Sequence, residues 1–377
     1  MRLIIGGDLV PTHSNIELFS NGEVNTLLGK ELLSLWKSTD IRILNLEVPL
    51  TDKEDPIPKS GPNLIAPTST VKGIKALDPS LLSLANNHIL DQGVQGLKST
   101  ERVLSEYEIP FVGVGDTLCT ANKPYILEQS GLKIGVYACA EYEFTIATQD
   151  EPGANPFDPL ESLDHIVKLK ETCDYVVVLY HGGKEHYRYP SPYLQKVCRK
   201  MAQKGADLIV CQHSHCIGCY EEYKGATIVY GQGNFIFDRS KSEFWQTSLL
   251  VKVTFENEIG LEYIPIVKKE NTIQLATGKV AENILFAFQQ RSKDIVSEEF
   301  VSQQYQQFAE ENYLLYVRHF AGFGKWLSRL DRYIFKDMLA KRKYNKKQLL
   351  AIQNFIECEA HRELVIAGIK YKREKIK

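Results

Sequence analysis

The sequence predicts an α/β fold of helix-covered sheets, followed by a helical C-terminal region. Three observations carry this. Short runs rich in Ile, Leu and Val alternate with polar segments of helical period over the first two-thirds of the chain. Such continuously apolar strands belong to sheets buried on both faces. Two later apolar runs flank Glu256-Asn257-Glu258-Ile259-Gly260, a hairpin signal that makes at least one sheet mixed. Beyond about residue 280 glycine thins out, and Phe308, Tyr313, Leu314, Val317 and Phe320 recur at helical spacing.

In chain order, strands are predicted over 2–6, 41–46, 81–85, 111–114, 133–139, 175–180, 208–211, 227–230, 247–255 and 261–267. Each is a short Ile/Leu/Val-rich run ended by polar or glycine punctuation. Helices are predicted over 23–37, 94–107, 160–172 and 193–204. Asp91-Gln92-Gly93 and Pro190-Ser191-Pro192 are entry signals for two of them. Ala321-Gly322-Phe323-Gly324 and the 341–347 stretch break the later helices. A boundary near 275 gives two domains, 1–275 and 276–377.

The composition narrows the function classes. The 377 residues are 44% apolar and 24% charged, which excludes a disordered chain, a collagen-like repeat and a disulfide-stapled mini-fold. A net charge of -2 excludes a generic polyanion binder. Residues 318–377 nevertheless hold 16 Lys and Arg against 6 Asp and Glu. An acidic body therefore carries a basic tail. No apolar run reaches the ~18 residues of a membrane helix. The first eight residues read as a strand entering a loop, not as a signal peptide. The expected location is the cytoplasm; the tail is weighed between packing on the acidic body, the favoured reading, and docking on an anionic membrane or a membrane-bound synthase. Cys119, Cys139, Cys173 and Cys198 sit singly and are expected to be reduced and buried.

The chemistry gathers just past the apolar strands. Asp8, Glu47, the Asn87-His88 pair, His181, and His213 with His215 each follow one run. In open α/β sheets the carboxyl edge is where ligands bind. Each residue alone has an ordinary reading as a turn cap or a satisfied polar side chain; five together do not. Imidazoles mixed with carboxylates and an amide suit Mn, Zn or Fe. A set with a potential bridging acid suits two ions about 3.5–4 Å apart.

Three stretches carry a resemblance. They are Asn45-Leu46-Glu47-Val48-Pro49-Leu50-Thr51; Leu84-Ala85-Asn86-Asn87-His88-Ile89-Leu90-Asp91-Gln92-Gly93; and His181-Gly182-Gly183-Lys184-Glu185 through Gln212-His213-Ser214-His215 to Gly231-Gln232-Gly233-Asn234-Phe235-Ile236-Phe237-Asp238. Together they resemble the bacterial capsule-synthesis CapA family, linked to poly-γ-glutamate capsules and related to calcineurin-like metallophosphoesterases. The resemblance spans roughly residues 2–270. It implies a four-layer sandwich of two mixed sheets flanked by helices. It implies that Asp8 and His215 bind one divalent ion, that Asn87, His181 and His213 bind another, and that Glu47 bridges them. His88 becomes the acid that protonates a leaving oxygen, oriented by Asp91. One departure stands out: the phosphoesterase pattern has a His two residues after the first Asp, where this chain has Val10. His13 is the nearby substitute.

The resulting expectation is a metal-dependent hydrolase of phosphoesterase type in capsule or exopolymer metabolism. It would use metal-bound hydroxide on a phosphorylated or anionic polymer-related substrate. The alternative is a non-catalytic, metal- or polymer-binding component of a capsule synthase complex. Nucleic acid is disfavoured, because no aromatic and basic stacking platform surrounds the motifs. The lone pair Cys216-Ile217-Gly218-Cys219 reads as structural. The 231–234 glycines read as permitting close backbone approach, since no P-loop Lys follows. Glu185, His186, Arg239 and Lys241 are weighed between substrate contact and solvated surface.

Overall fold

A computed structural model describes residues 1–255 and 259–375. It divides into two compact units, Met1–Ser302 and Gln303–Lys377. The strands in chain order are β1 Arg2–Val10, β2 Ile41–Leu46, β3 Leu81–Ser83, β4 Phe111–Val112, β5 Val114–Gly115, β6 Tyr125–Gln129, β7 Leu132–Ala140 and β8 Gly153–Ala154. There follow β9 Tyr175–His181, β10 Leu208–Gln212, β11 Tyr220–Tyr223, β12 Ala226–Val229, β13 Asn234–Phe237, β14 Thr247–Phe255, β15 Ile259–Lys269 and β16 Thr272–Leu275.

Among the described residues, one sheet has the order β16-β15-β14-β1-β2-β3-β4, with β13 also paired to β1. Its β1–β4 portion is parallel, and β14 to β16 are antiparallel. The second sheet has the order β11-β12-β10-β9-β7-β6, parallel in its centre and antiparallel at both edges. Both sheets are mixed.

Alternation along the strands shows how they stack. Leu3 and Ile5 of β1 join Val177 and Leu179 of β9 in one apolar cluster between the sheets. Ile4, between the two, joins Phe19, Leu32, Trp36 and Leu97 on the outer face. Val176 and Val178 of β9 face outward instead, onto Ile166, Leu194, Cys198 and Met201. Successive side chains of a strand point to opposite faces, so each sheet is covered twice. The result is the four-layer sandwich.

Several expectations change. The helix expected over 23–37 is two, Val24–Leu28 and Lys30–Lys37. Gly29 between them has φ 65°, a left-handed conformation that breaks the helix and that glycine adopts freely. The strand expected over 111–114 splits into β4 and β5, and β5 pairs with β8 in a separate two-stranded sheet. Strands β6, β8, β11, β13 and β16 were not legible as runs. The helix Gly278–Asp294, expected beyond the 275 boundary, falls in the first unit. Its Phe288 is buried against Tyr220 and Tyr263. The β14–β15 pairing closes at Phe255 and Ile259, but residues 256–258 of the hairpin signal lie outside the described residues. Cys139, Cys173 and Cys198 are buried free thiols, whereas Cys119 is exposed. The second unit is helical, with Lys325–Tyr333, Met338–Lys343, Lys346–Glu357 and Glu359–Lys375 following the long helix Glu298–Phe320. Among the described residues, no helix is long and apolar enough to cross a membrane.

Candidate metal centre

Asp8 sits where β1 bulges. Its pairing with β2 shifts register between Ile5 and Asp8, across Gly6 and Gly7. The close approach of β13 requires this: a Cβ on Gly7 would lie 1.9 Å from the Gly233 carbonyl oxygen. A Cβ on Gly231 would lie 2.7 Å from Ser214 Oγ and one on Gly233 2.8 Å from Ser248 Cβ, so these glycines too sit in close contact. The bulge re-aims the Asp8 carboxylate, which accepts a 2.8 Å hydrogen bond from Asn45 Nδ2.

Glu47 leaves the end of β2 and is fully buried. Neither of its carboxylate oxygens accepts a hydrogen bond. His181, the last residue of β9, places Nε2 3.3 Å from Glu47 Oε1, 3.0 Å from Asn87 Oδ1 and 3.2 Å from His213 Nδ1. Ligands about 2.0–2.1 Å from a tetrahedral ion stand about 3.3 Å apart, close to these separations. Glu47, His181 and His213 form one group whose ligand atoms lie within 4.8 Å of one another; Asp8, Glu47 and His215 form a second. Glu47 belongs to both.

His213 and His215 lie on the loop leaving β10, with φ of 81° and 53°. Left-handed conformations at residues other than glycine cost roughly 1–3 kcal/mol each, and here both bring imidazoles inward. The β1–β13 pairing sets Asn234 directly beside Asp8. His215 Nδ1 is 2.8 Å from Asn234 Oδ1 and 3.5 Å from Asp8 Oδ2. The His215 ring is flanked by Trp245, centroid 4.5 Å away, and by Phe237.

Charge explains the titration of these groups. Burial pushes the Asp8 carboxyl up, but the contact with His215 and the charge of His181 outweigh it and hold it below its usual range. Burial opposes protonation of His215, yet Asp8 and Glu47 raise its pKa to about 9. The same two acids overcome burial at His181 and raise it. His213 is lowered by burial and by the neighbouring imidazoles. A buried, orphaned carboxylate among imidazoles and a second carboxylate is a donor set that fits divalent cations.

His88 follows in the turn after β3. Its Nδ1 is 2.5 Å from Asp91 Oδ2, and its Nε2 faces the centre, 4.0 Å from Glu47 Oε1. Lys59, from the loop after β2, pairs with Asp91, donates to the Asn87 carbonyl, and places Nζ 3.2 Å from His88 Nδ1. The Leu64 amide also donates to Asp91.

The structure therefore brings Asp8, Glu47, Asn87, His181, His213 and His215 to one edge, with His88 and Asp91 beside them. Val10 is buried in the outer apolar cluster. His13 is exposed and in neither ligand group, because the Thr12–Asn15 turn carries the chain outward. Sequence reasoning missed Asn45, Lys59, Asn234 and Trp245. An amide interrupting the apolar run 41–46 was the available signal for Asn45. The half-buried His186 is occupied, as its Nε2 accepts from Trp245 Nε1 at 2.8 Å. Arg239 and His13 instead line an open cleft of about 640 Å³ with Val10, Asn63, Leu64 and Phe237. Cys216 and Cys219 are buried, and burial raises both thiols.

Comparison with known proteins agrees with the motifs. The family described as bacterial capsule synthesis protein PGA_cap matches residues 2–239. A capsule biosynthesis protein CapA of Bacillus anthracis is 30% identical over 269 residues, covering 68% of this chain and 65% of that protein. A PGA biosynthesis protein CapA of Bacillus subtilis is 32% identical over 201 residues, covering 52% and 53%. The matches thus span less than two thirds of either relative's length. A solved structure of a phosphatase from Mycoplasma pneumoniae overlaps 72% of this chain and 94% of its own at 15% identity and TM-score 0.45. The family match runs from before Asp8 to beyond Asn234, so it takes in all the candidate ligands, and the chain belongs to this family of bacterial capsule synthesis proteins.

Proposed function

We propose that this chain is a metal-dependent hydrolase acting on a phosphorylated or otherwise anionic substrate in capsule or exopolymer synthesis. The observation that carries this reading is Glu47, buried, without a hydrogen bond, and common to two groups of ligand atoms. Asn87, His181 and His213 would hold one transition ion, Mn, Zn or Fe. Asp8 and His215 would hold the other, with Glu47 between them. Such a pair supplies Lewis-acid polarisation of a phosphoryl oxygen and makes water nucleophilic near neutral pH.

The protein's own side chains do the rest. Asn45 ties Asp8 in place. Asp91 accepts from His88 Nδ1, leaving Nε2 on the side of the centre to give its proton to a leaving oxygen. Lys59 holds Asp91 as it does so. Arg239 and His13 place positive or hydrogen-bonding groups in the adjoining cleft, which suits an anionic substrate. Metal analysis, followed by hydrolysis of p-nitrophenyl and bis-p-nitrophenyl phosphate with Mn, Zn, Fe and Mg, tests the reading. Metal-activated turnover is expected.

A second reading, a non-catalytic metal- or polymer-binding component of a synthase complex, is favoured by Val10. That residue packs into the apolar cluster and offers no ligand to the Asp8 group. Metal binding without turnover on any phosphoester would select it.

A further inference from the structure

The helix Lys325–Tyr333 of the second unit is inverted relative to water. At about 100° per residue, Trp326, Leu330 and Tyr333 share one stripe about 60° wide. Lys325, Arg329 and Arg332 form an adjacent stripe of the same width. A helix on a protein normally buries its apolar stripe. Here Asp331 is fully buried, while Trp326 is 80% and Tyr333 75% exposed. Asp331 accepts from Arg318 Nε at 3.2 Å and from the Leu339 amide at 2.9 Å, which fixes the polar side inward. The apolar surface continues past the helix through Ile334, Phe335 and Met338, all exposed. Beside it, His319, Lys325, Arg329 and Arg332 line a cavity of about 490 Å³, together with Arg318, whose charge is paired with Asp331 and Asp337. Lys336, Lys341, Arg342 and Lys343 follow.

Large aromatic and aliphatic side chains held outward, rimmed by cations, have the composition of a segment that lies in a lipid interface. We infer that residues 326–338 form an anionic-membrane docking surface: Trp326, Tyr333 and Ile334 enter the headgroup boundary, and the adjacent cationic cavity takes a phosphate headgroup. The charge selects the occupant. A ridge meant for a neutral protein groove would not need this rim, and two copies meeting ridge to ridge would bring like charges together. Trp326 packs under the guanidinium of Arg329, with the charge 5.8 Å from the ring centroid. Cation and aromatic thus reach the interface as one unit. The inference depends on the second unit alone and stands apart from the metal centre.

Tryptophan fluorescence of the full chain tests it. Of the three tryptophans, Trp36 and Trp245 are buried, so Trp326 is the exposed reporter. Vesicles of phosphatidylcholine alone are compared with vesicles containing phosphatidylglycerol. Anionic vesicles should blue-shift the emission and bind at least tenfold more protein than neutral ones. Binding should fall at high salt, where the Debye length shrinks to about 3 Å at 1 M. A triple variant, Trp326→Ser, Tyr333→Ser and Ile334→Ser, followed by vesicle co-sedimentation because it lacks the Trp326 reporter, should keep its circular dichroism, since all three side chains are exposed, and lose binding at least tenfold. Equal binding to both vesicle types, no binding to either, or undiminished binding by the folded triple variant would overturn the inference. So would a vesicle-free dimer, detected by sedimentation velocity, that the triple variant abolishes.

Discussion

Asp8 and Asn234 are direct register partners across β1 and β13, and both turn an oxygen toward Nδ1 of His215, at 3.5 and 2.8 Å. Asn234 thereby stands beside the carboxylate whose expected neighbour, two residues along β1, is the buried Val10. Asn234→Ala should free the His215 ring and weaken one cation site about 10–100-fold, the usual effect of losing an orienting partner. The site proposed for Asn87, His181 and His213 should keep its affinity. Calorimetric titration with Mn or Zn, resolving two classes of site, measures this. An equal loss in both classes would show Asn234 acting through the fold instead.

Gly7→Ala should destabilise the protein strongly. The added methyl would meet the Gly233 carbonyl oxygen, a backbone atom that cannot rotate away. Overpacking costs typically 1–3 kcal/mol, and this contact should reach at least the upper end. Urea denaturation provides the number. A cost below 1 kcal/mol would mean that β1 and β13 can separate cheaply.

Asp91→Asn should cost about 3–5 kcal/mol, because it leaves the ammonium of Lys59 buried without a countercharge. The Lys59 side chain is only 3% exposed. Adding Lys59→Met should recover much of the loss, since removing both charges removes the penalty. If the double variant is less stable than Asp91→Asn, the Lys59 contact with the Asn87 carbonyl matters more than the ion pair.

His88→Asn should leave metal content unchanged, as His88 belongs to neither ligand group. If Nε2 protonates the leaving oxygen, turnover should fall about 10²–10⁴-fold on alkyl phosphates and much less on nitrophenyl phosphates, whose leaving group needs little protonation. Equal losses on both would assign His88 to substrate positioning.

The strands that carry the proposed ligand set were legible because buried parallel strands are written as apolar runs, and most of the polar residues proposed as ligands stand near or just past their carboxyl ends. Asp8, Glu47, His181 and the His213–His215 pair all fall at such positions. The same logic hid β13: Gly231 and Gly233 read as loop punctuation, whereas Gly233 packs closely on Gly7 and Ser248 and the following residues pair with β1 as a strand of the first sheet. Asn45 lies inside an apolar run, where its polarity has no local explanation. Lys59 lies in a proline-containing segment without periodicity, and its role arises from a tertiary contact with Asp91. His13 failed as a substitute for a ligand at Val10 because position in sequence says little about where a turn points. The inward-facing Asp331 was equally invisible, since a hydrophobic stripe alone does not reveal which side of a helix meets solvent.

In the proposed centre one buried carboxylate serves two cations. Metal analysis by mass spectrometry, after loading with Mn or Zn and desalting, tests it when wild type and Glu47→Gln are compared. Two ions per wild-type chain are expected. Glu47→Gln should lose metal from both sites, because an amide neutralises neither cation, with the variant still folded and its metal-free form no less stable than wild type. Undiminished metal in Glu47→Gln, or a wild-type chain that retains none after loading, would contradict it.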